Sequence, residues 1–133
     1  MVTIATRRPA SDLAVLVQAK ALCAHVMQVT QKSPKAYRFT FVSRLQNLAL
    51  DVVENLFRAN EVFVCPGEEA LATRLGLQHE ASTSLKMLVY VTEMAMTQGC
   101  VLMKQYEQVS RQAFDGGNLI GGWMNSDRKW FAS

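Results

Sequence analysis

The sequence predicts an all-α fold, an antiparallel up-down-up-down four-helix bundle, and three observations predict it. Apolar residues recur at alternating spacings of three and four along most of the chain. Half of the 133 residues are hydrophobic and only three are proline, with few alternating β-branched runs, a balance that favours an ordered helical core. The connections between the periodic stretches are short, which suits antiparallel neighbours. A chain of this length holds one core. The expected division is an N-terminal tail at 1–10, a bundle at 11–126 and a C-terminal tail at 127–133.

The first helix is expected from Ser11 or Asp12, either of which suits an N-cap, to about Gln31. Thirteen of the 17 residues from Leu13 to Val29 are apolar. A helix so evenly apolar needs more than one packing partner, the bundle core and a neighbouring subunit being the two candidates.

The second helix carries the clearest start signal. Ser33 reads as its N-cap and Pro34 as its first residue, where a missing N–H costs nothing. Phe41, Leu45, Leu48, Val52, Asn55, Ala59 and Val62 then mark one face of a helix of about 30 residues, roughly 45 Å long. It should end near Val64, because Pro66 and Gly67 form a breaker pair.

Glu68 and Glu69 complement the dipole at the start of a third helix, read through Leu71, Leu75, Ala81, Leu85, Leu88, Val91 and Ala95 and closed by Gly99. The fourth helix follows Leu102, Tyr106, Val109, Ala113, Gly116, Ile120 and Trp123 and is expected to end near Ser126. Gly116, Gly117, Gly121 and Gly122 lie inside it, each costing about 1 kcal/mol relative to alanine. Gly117 and Gly121, four apart, form a smooth strip for close helix packing or for a subunit contact. Trp123 and Trp130 read as packing residues.

Charge is unevenly placed. Residues 1–50 hold seven bases against Asp12 alone, a net +6, while residues 51–133 carry a net −3. Lys32, Lys35, Arg38 and Arg44 fall within 13 residues free of acids, around the expected start of the second helix. Cations there oppose the helix dipole, and the unpaired N–H groups of a helix start suit phosphate. These four are the candidate nucleic-acid-binding residues, with Arg128 and Lys129 as secondary contacts. Arg38 and Arg44 are about 240° apart around an ideal helix, so one phosphate track on one subunit does not reach both. Copies of the patch around an oligomer would add their fields.

The remaining charges read as structural, with Glu54–Arg58, Glu107–Arg111 and Arg111–Asp115 at helical spacing for solvated pairs. The di-iron chemistry that a four-helix bundle invites needs Glu-x-x-His pairs, and the sequence has none. His25 and His79 read as partly buried polar residues, and no P-loop, GxGxxG after a strand or GxSxG occurs. Cys23, Cys65 and Cys100 have no CxxC spacing, which argues against a disulfide framework or zinc ribbon and for a reducing compartment. Cys100, just after the Gly99 turn, is expected to be exposed enough to oxidise. The chain is read as non-enzymatic, with no metal or other cofactor. The early apolar run Leu13–Val17 is too short for a secretory leader, and no stretch reaches a membrane-spanning length, so the expected location is the cytoplasm.

Two blocks, YRFTFVSRLQNLALDVVENLFRAN at 37–60 and MKQYEQVSRQAFDGGNLIGGWMNSDRK at 103–129, resemble the signature blocks of a bacterial four-helix-bundle family. That family comprises proteins encoded in ribosomal RNA intervening sequences and the accessory variability determinants of diversity-generating retroelements. The resemblance implies a homopentamer. For the retroelement branch it also implies a basic surface that binds RNA or DNA backbone and a reverse transcriptase partner. The net charge of +3 is low for that branch. The intervening-sequence type implies instead a structural or protein-interaction oligomer with no nucleic-acid ligand.

Overall fold

The computed structural model describes residues 10–63 and 68–131. Four long helices account for most of them: α1 (Ala10–Thr30), α2 (Ser43–Glu61), α3 (Glu68–Thr97) and α4 (Met103–Phe131). No strand occurs among the described residues. Each helix packs against two others, in the cyclic order α1, α2, α3, α4 and back to α1. No helix among the described residues is long and apolar enough to cross a membrane.

The core follows the three-four repeat. Val15, Leu22 and Val26 of α1 meet Leu45, Val52 and Leu56 of α2, Leu85 and Leu88 of α3, and Val109, Ile120 and Trp123 of α4 in one buried cluster. Glu68 and Glu69 open α3, and Gly99 follows its end at φ +82°, a conformation that a side chain would strain.

The start of the second helical segment departs from expectation. Pro34 is extended, with ψ 142°, and precedes a 3₁₀ turn at Lys35–Tyr37. A π-helical turn then covers Arg38–Val42, and regular α-helix begins only at Ser43. Ser33 does not cap; its hydroxyl donates instead to the Cys100 carbonyl at 2.9 Å. Cys100 is itself buried, and the part-buried bond from Ser33 gives its carbonyl a partner. The hydroxyl thus ties the α1–α2 connection to the α3–α4 turn.

Helix ends differ as well. α1 already includes Ala10, so Ser11 and Asp12 lie inside it. α4 runs to Phe131, so residues 127–131 belong to the bundle and not to a tail. Residues 1–9 of the expected N-terminal tail, and the Pro66–Gly67 breaker with Cys65, lie outside the described residues. Cys100, expected to be accessible, is 4 % exposed.

Candidate nucleic-acid interface

The local sequence YRFTF sets the geometry of the basic cluster. Tyr37 and Phe41 turn toward the bundle, their ring centroids 5.7 Å apart, and the Tyr37 hydroxyl donates to the Gln98 carbonyl at 2.8 Å. Residues four apart share a helix face and the residue between them faces away. Phe39 accordingly points outward and is 87 % exposed. Lys32, Lys35, Arg38 and Arg44 are all exposed, and none forms an ion pair or side-chain hydrogen bond among the described residues.

Below Phe39, between the start of α2 and the later turns of α3, runs a groove of ≈ 640 Å³. Arg44, Asn47 and Asp51 line its α2 wall, and Met87 and Met94 its α3 wall. Arg44 is the cation that lines this groove beside Phe39, and Asp51 is the acid farther along the same wall; Arg38 is not among the lining residues.

Arg128 and Lys129 do not join this cluster. They occupy the last turn of α4, whose dipole they complement, and Arg128 also donates to Asn125 Oδ1 at 3.2 Å. Ser33 and Tyr37 bond to Cys100 and Gln98, just before α4 begins. The two basic groups are therefore separated by the length of α4, about 40 Å at ~1.5 Å per residue.

The glycines also separate. A Cβ on Gly116 would lie 2.7 Å from Gln18 Oε1 and 3.3 Å from Leu85 Cδ1, so Gly116 is where α1 and α3 approach α4 closely. A Cβ on Gly117 or Gly121 meets nothing within 4 Å. Close packing within the bundle does not require either, contrary to one of the two expected roles. Trp123 is fully buried.

The sequence reading missed the most polar part of the core. Arg74 of α3 is completely buried; its Nε donates to Asp127 Oδ2 at 2.6 Å and its Nη2 to Asp127 Oδ1 at 3.0 Å. Gln78 Nε2 adds a third bond to Asp127 Oδ2 at 2.7 Å, and Arg74 Nη1 reaches the Ala59 carbonyl of α2 at 3.4 Å. The guanidinium lies over the Trp123 ring, 5.0 Å from its centroid. Leu71 and Leu75, expected on the inner face, are only half-buried. The signal was present: counting back from Ala81 in steps of three and four lands on Gln78 and Arg74, and counting four on from Trp123 lands on Asp127.

On the α1–α4 side, His25 Nδ1 pairs with Gln112 Oε1 and Gln18 Nε2 donates to the Gln112 carbonyl at 2.7 Å. His25 is thus a half-buried structural residue. Burial pushes the Cys23 thiol above its ordinary pKa of 9.0. Glu54 and Arg58 form the expected surface pair at 3.0 Å, whereas Glu107, Arg111 and Asp115 form none among the described residues. No group of three or more His, Cys, Asp or Glu side chains among the described residues is placed to hold a metal ion.

No protein-family model matches the sequence, and no curated protein is detectably similar to it.

Proposed function

We propose that this chain is a non-enzymatic, oligomeric accessory protein of the cytoplasm that binds RNA or DNA backbone through Lys32, Lys35, Arg38 and Arg44. The observation that carries the reading is that all four bases are exposed and unpaired among the described residues, beside an exposed aromatic ring. Unpaired cations near a helix start oppose its dipole; a bound phosphate would offset that cost. A reverse transcriptase as partner, a homopentameric ring and the antiparallel up-down-up-down arrangement rest on the family resemblance and on the short connections. Arg128 and Lys129, at the far end of α4, serve at most a second contact.

Oligomerisation has its own support. The outer positions Ala14, Val17, Ala21 and Ala24 of α1 are exposed and uncharged, a face that a neighbouring subunit would cover. Around a ring, repeated basic patches combine into a field that one copy lacks.

A second reading, a protein-interaction oligomer with no nucleic-acid ligand, is favoured by the groove between α3 and α4. Val89, Tyr90 and Phe114 line it, with Tyr90 65 % and Phe114 69 % exposed. The deciding experiment titrates the protein into RNA and DNA strands and duplexes across a salt series, with its mass determined in the same buffers. An oligomer that binds with a steep negative salt slope supports the first reading. An oligomer that binds nothing at low salt supports the second.

A further inference from the structure

We infer that the nucleic acid this surface takes is single-stranded, and that Phe39 is the platform on which one of its bases stacks. The inference rests on the backbone-binding reading of the basic cluster and adds the ligand's class to it. Phe39 is the most exposed of the large apolar side chains described. Its exposure is fixed by its surroundings: Tyr37 and Phe41 on either side are held inward, one by the hydrogen bond to Gln98 and both by packing on the core. The π-helical turn at Arg38–Val42 presents the ring outward; such turns occur mostly as single inserts and often at functional sites.

The charges around the ring match a nucleic-acid strand. Arg38 adjoins Phe39 in the chain and Arg44 shares its groove, while Lys35 stands one turn earlier. No acid occurs from Gln31 to Leu50, so a strand stacked on Phe39 meets cations toward Lys35; the acids nearby are Asp51, farther along the α2 wall, and Glu93 of α3, beside Phe41 and Met94. Basic grooves with interleaved aromatic rings bind single strands, because unpaired bases offer π-faces without sequence preference. A duplex keeps those faces stacked inside and offers this ring only its backbone.

The test measures fluorescence anisotropy with labelled 20-nucleotide oligo(dT), oligo(U) and a 20-base-pair duplex, using the full chain, Phe39→Ala, Phe39→Trp and the pair Lys35→Glu with Arg38→Glu. Circular dichroism and solution mass are recorded for each variant. The expected result is a clear preference for single strands and a loss of about tenfold in Phe39→Ala on single strands only, within the range for one stacked base. Phe39→Trp should retain affinity, with its emission quenched on binding, and the charge-reversed pair should lose both ligands.

Equal affinity for strand and duplex with no effect of Phe39→Ala overturns the inference and leaves backbone binding standing. A Phe39→Ala variant with unchanged affinity and a smaller solution mass also overturns it, assigning the ring to a protein contact. Failure of the unmodified chain to bind either ligand at low salt removes the underlying reading as well.

Discussion

Arg74 and Asp127 join α3 to α4 by two parallel hydrogen bonds, 2.6 and 3.0 Å long, in a place where the arginine side chain is wholly out of solvent. The fork of the guanidinium matches the two carboxylate oxygens. Gln78 supplies a further donor, and Trp123 lies against the guanidinium face. Burying two charges costs solvation that their attraction only partly repays, so the pair contributes less to total stability than to fixing which face of α3 meets which face of α4.

Removing one partner should therefore cost far more than replacing both. Asp127→Asn or Arg74→Met leaves a buried charge without its counter-ion, and each should lower unfolding free energy by about 3–5 kcal/mol. The double variant Arg74→Met with Asp127→Leu should lose much less than the sum, showing strong coupling. Urea denaturation of the three variants checks this. Additive losses would mean that the two residues act separately.

The glycines of α4 should divide by position. Gly117→Ala and Gly121→Ala meet open space within the chain and should each stabilise the helix by about 1 kcal/mol. Gly116→Ala gains the same propensity, but its methyl displaces the Gln18 amide from the Gln112 carbonyl and presses on Leu85. A lost hydrogen bond of about 1 kcal/mol and the crowding of Leu85 should leave it less stable than Gly117→Ala. Thermal melts order the three. A Gly117→Ala or Gly121→Ala protein with reduced solution mass would place that glycine in a subunit contact.

Much of this was legible in the residues. The number of helices, the inner face of α2, that of α4 from Val109 to Trp123 and the turn at Gly99 follow from apolar spacing and glycine chemistry, whereas Leu102, expected to open the α4 face, precedes the helix and is 68 % exposed. The inner face of α3 is not legible that way, because apolarity alone points to Leu71 and Leu75, which break the three-four spacing that Arg74 and Gln78 keep. A charge at a core position is invisible to that criterion until its partner, here Asp127 on another helix, is known. The start of the second helical segment was misread for a related reason. Ser33 and Pro34 carry a strong local capping signal, but the Ser33 hydroxyl is taken by Cys100, 67 residues away. The exposed basic cluster was legible from charge alone, whereas the outward turn of Phe39 needed the inward anchoring of Tyr37 and Phe41.

Cys23 should give the protein an alkaline sensitivity. Its folded-state pKa is raised by burial above the ordinary 9.0. The unfolded chain therefore loses that proton first as pH rises. The stability tied to the neutral thiol is fully present below pH 9.0 and is lost as pH climbs toward the folded value. Cys23→Ala should flatten the fall in stability above that pH, at the cost of a small core void. Denaturation midpoints of both proteins from pH 7 to about pH 10 test it; parallel curves would mean that other groups control the alkaline limit.

If the chain binds nucleic acid as proposed, the salt dependence should report how many of the four bases touch phosphate. Each phosphate contact adds about 0.7–0.9 to the magnitude of the log–log salt slope, the lower figure applying to single strands. Lys35→Gln and Arg38→Gln should each reduce the slope by about 1 or less per subunit engaged and weaken all sequences alike. Arg128→Gln and Lys129→Gln, the length of α4 away, should leave the slope unchanged if the α1–α2 connection is the contact. Both positions are exposed and helical, so the substitutions should not disturb folding. Slopes that fall only with the α4 variants would move the interface to the other end of the molecule.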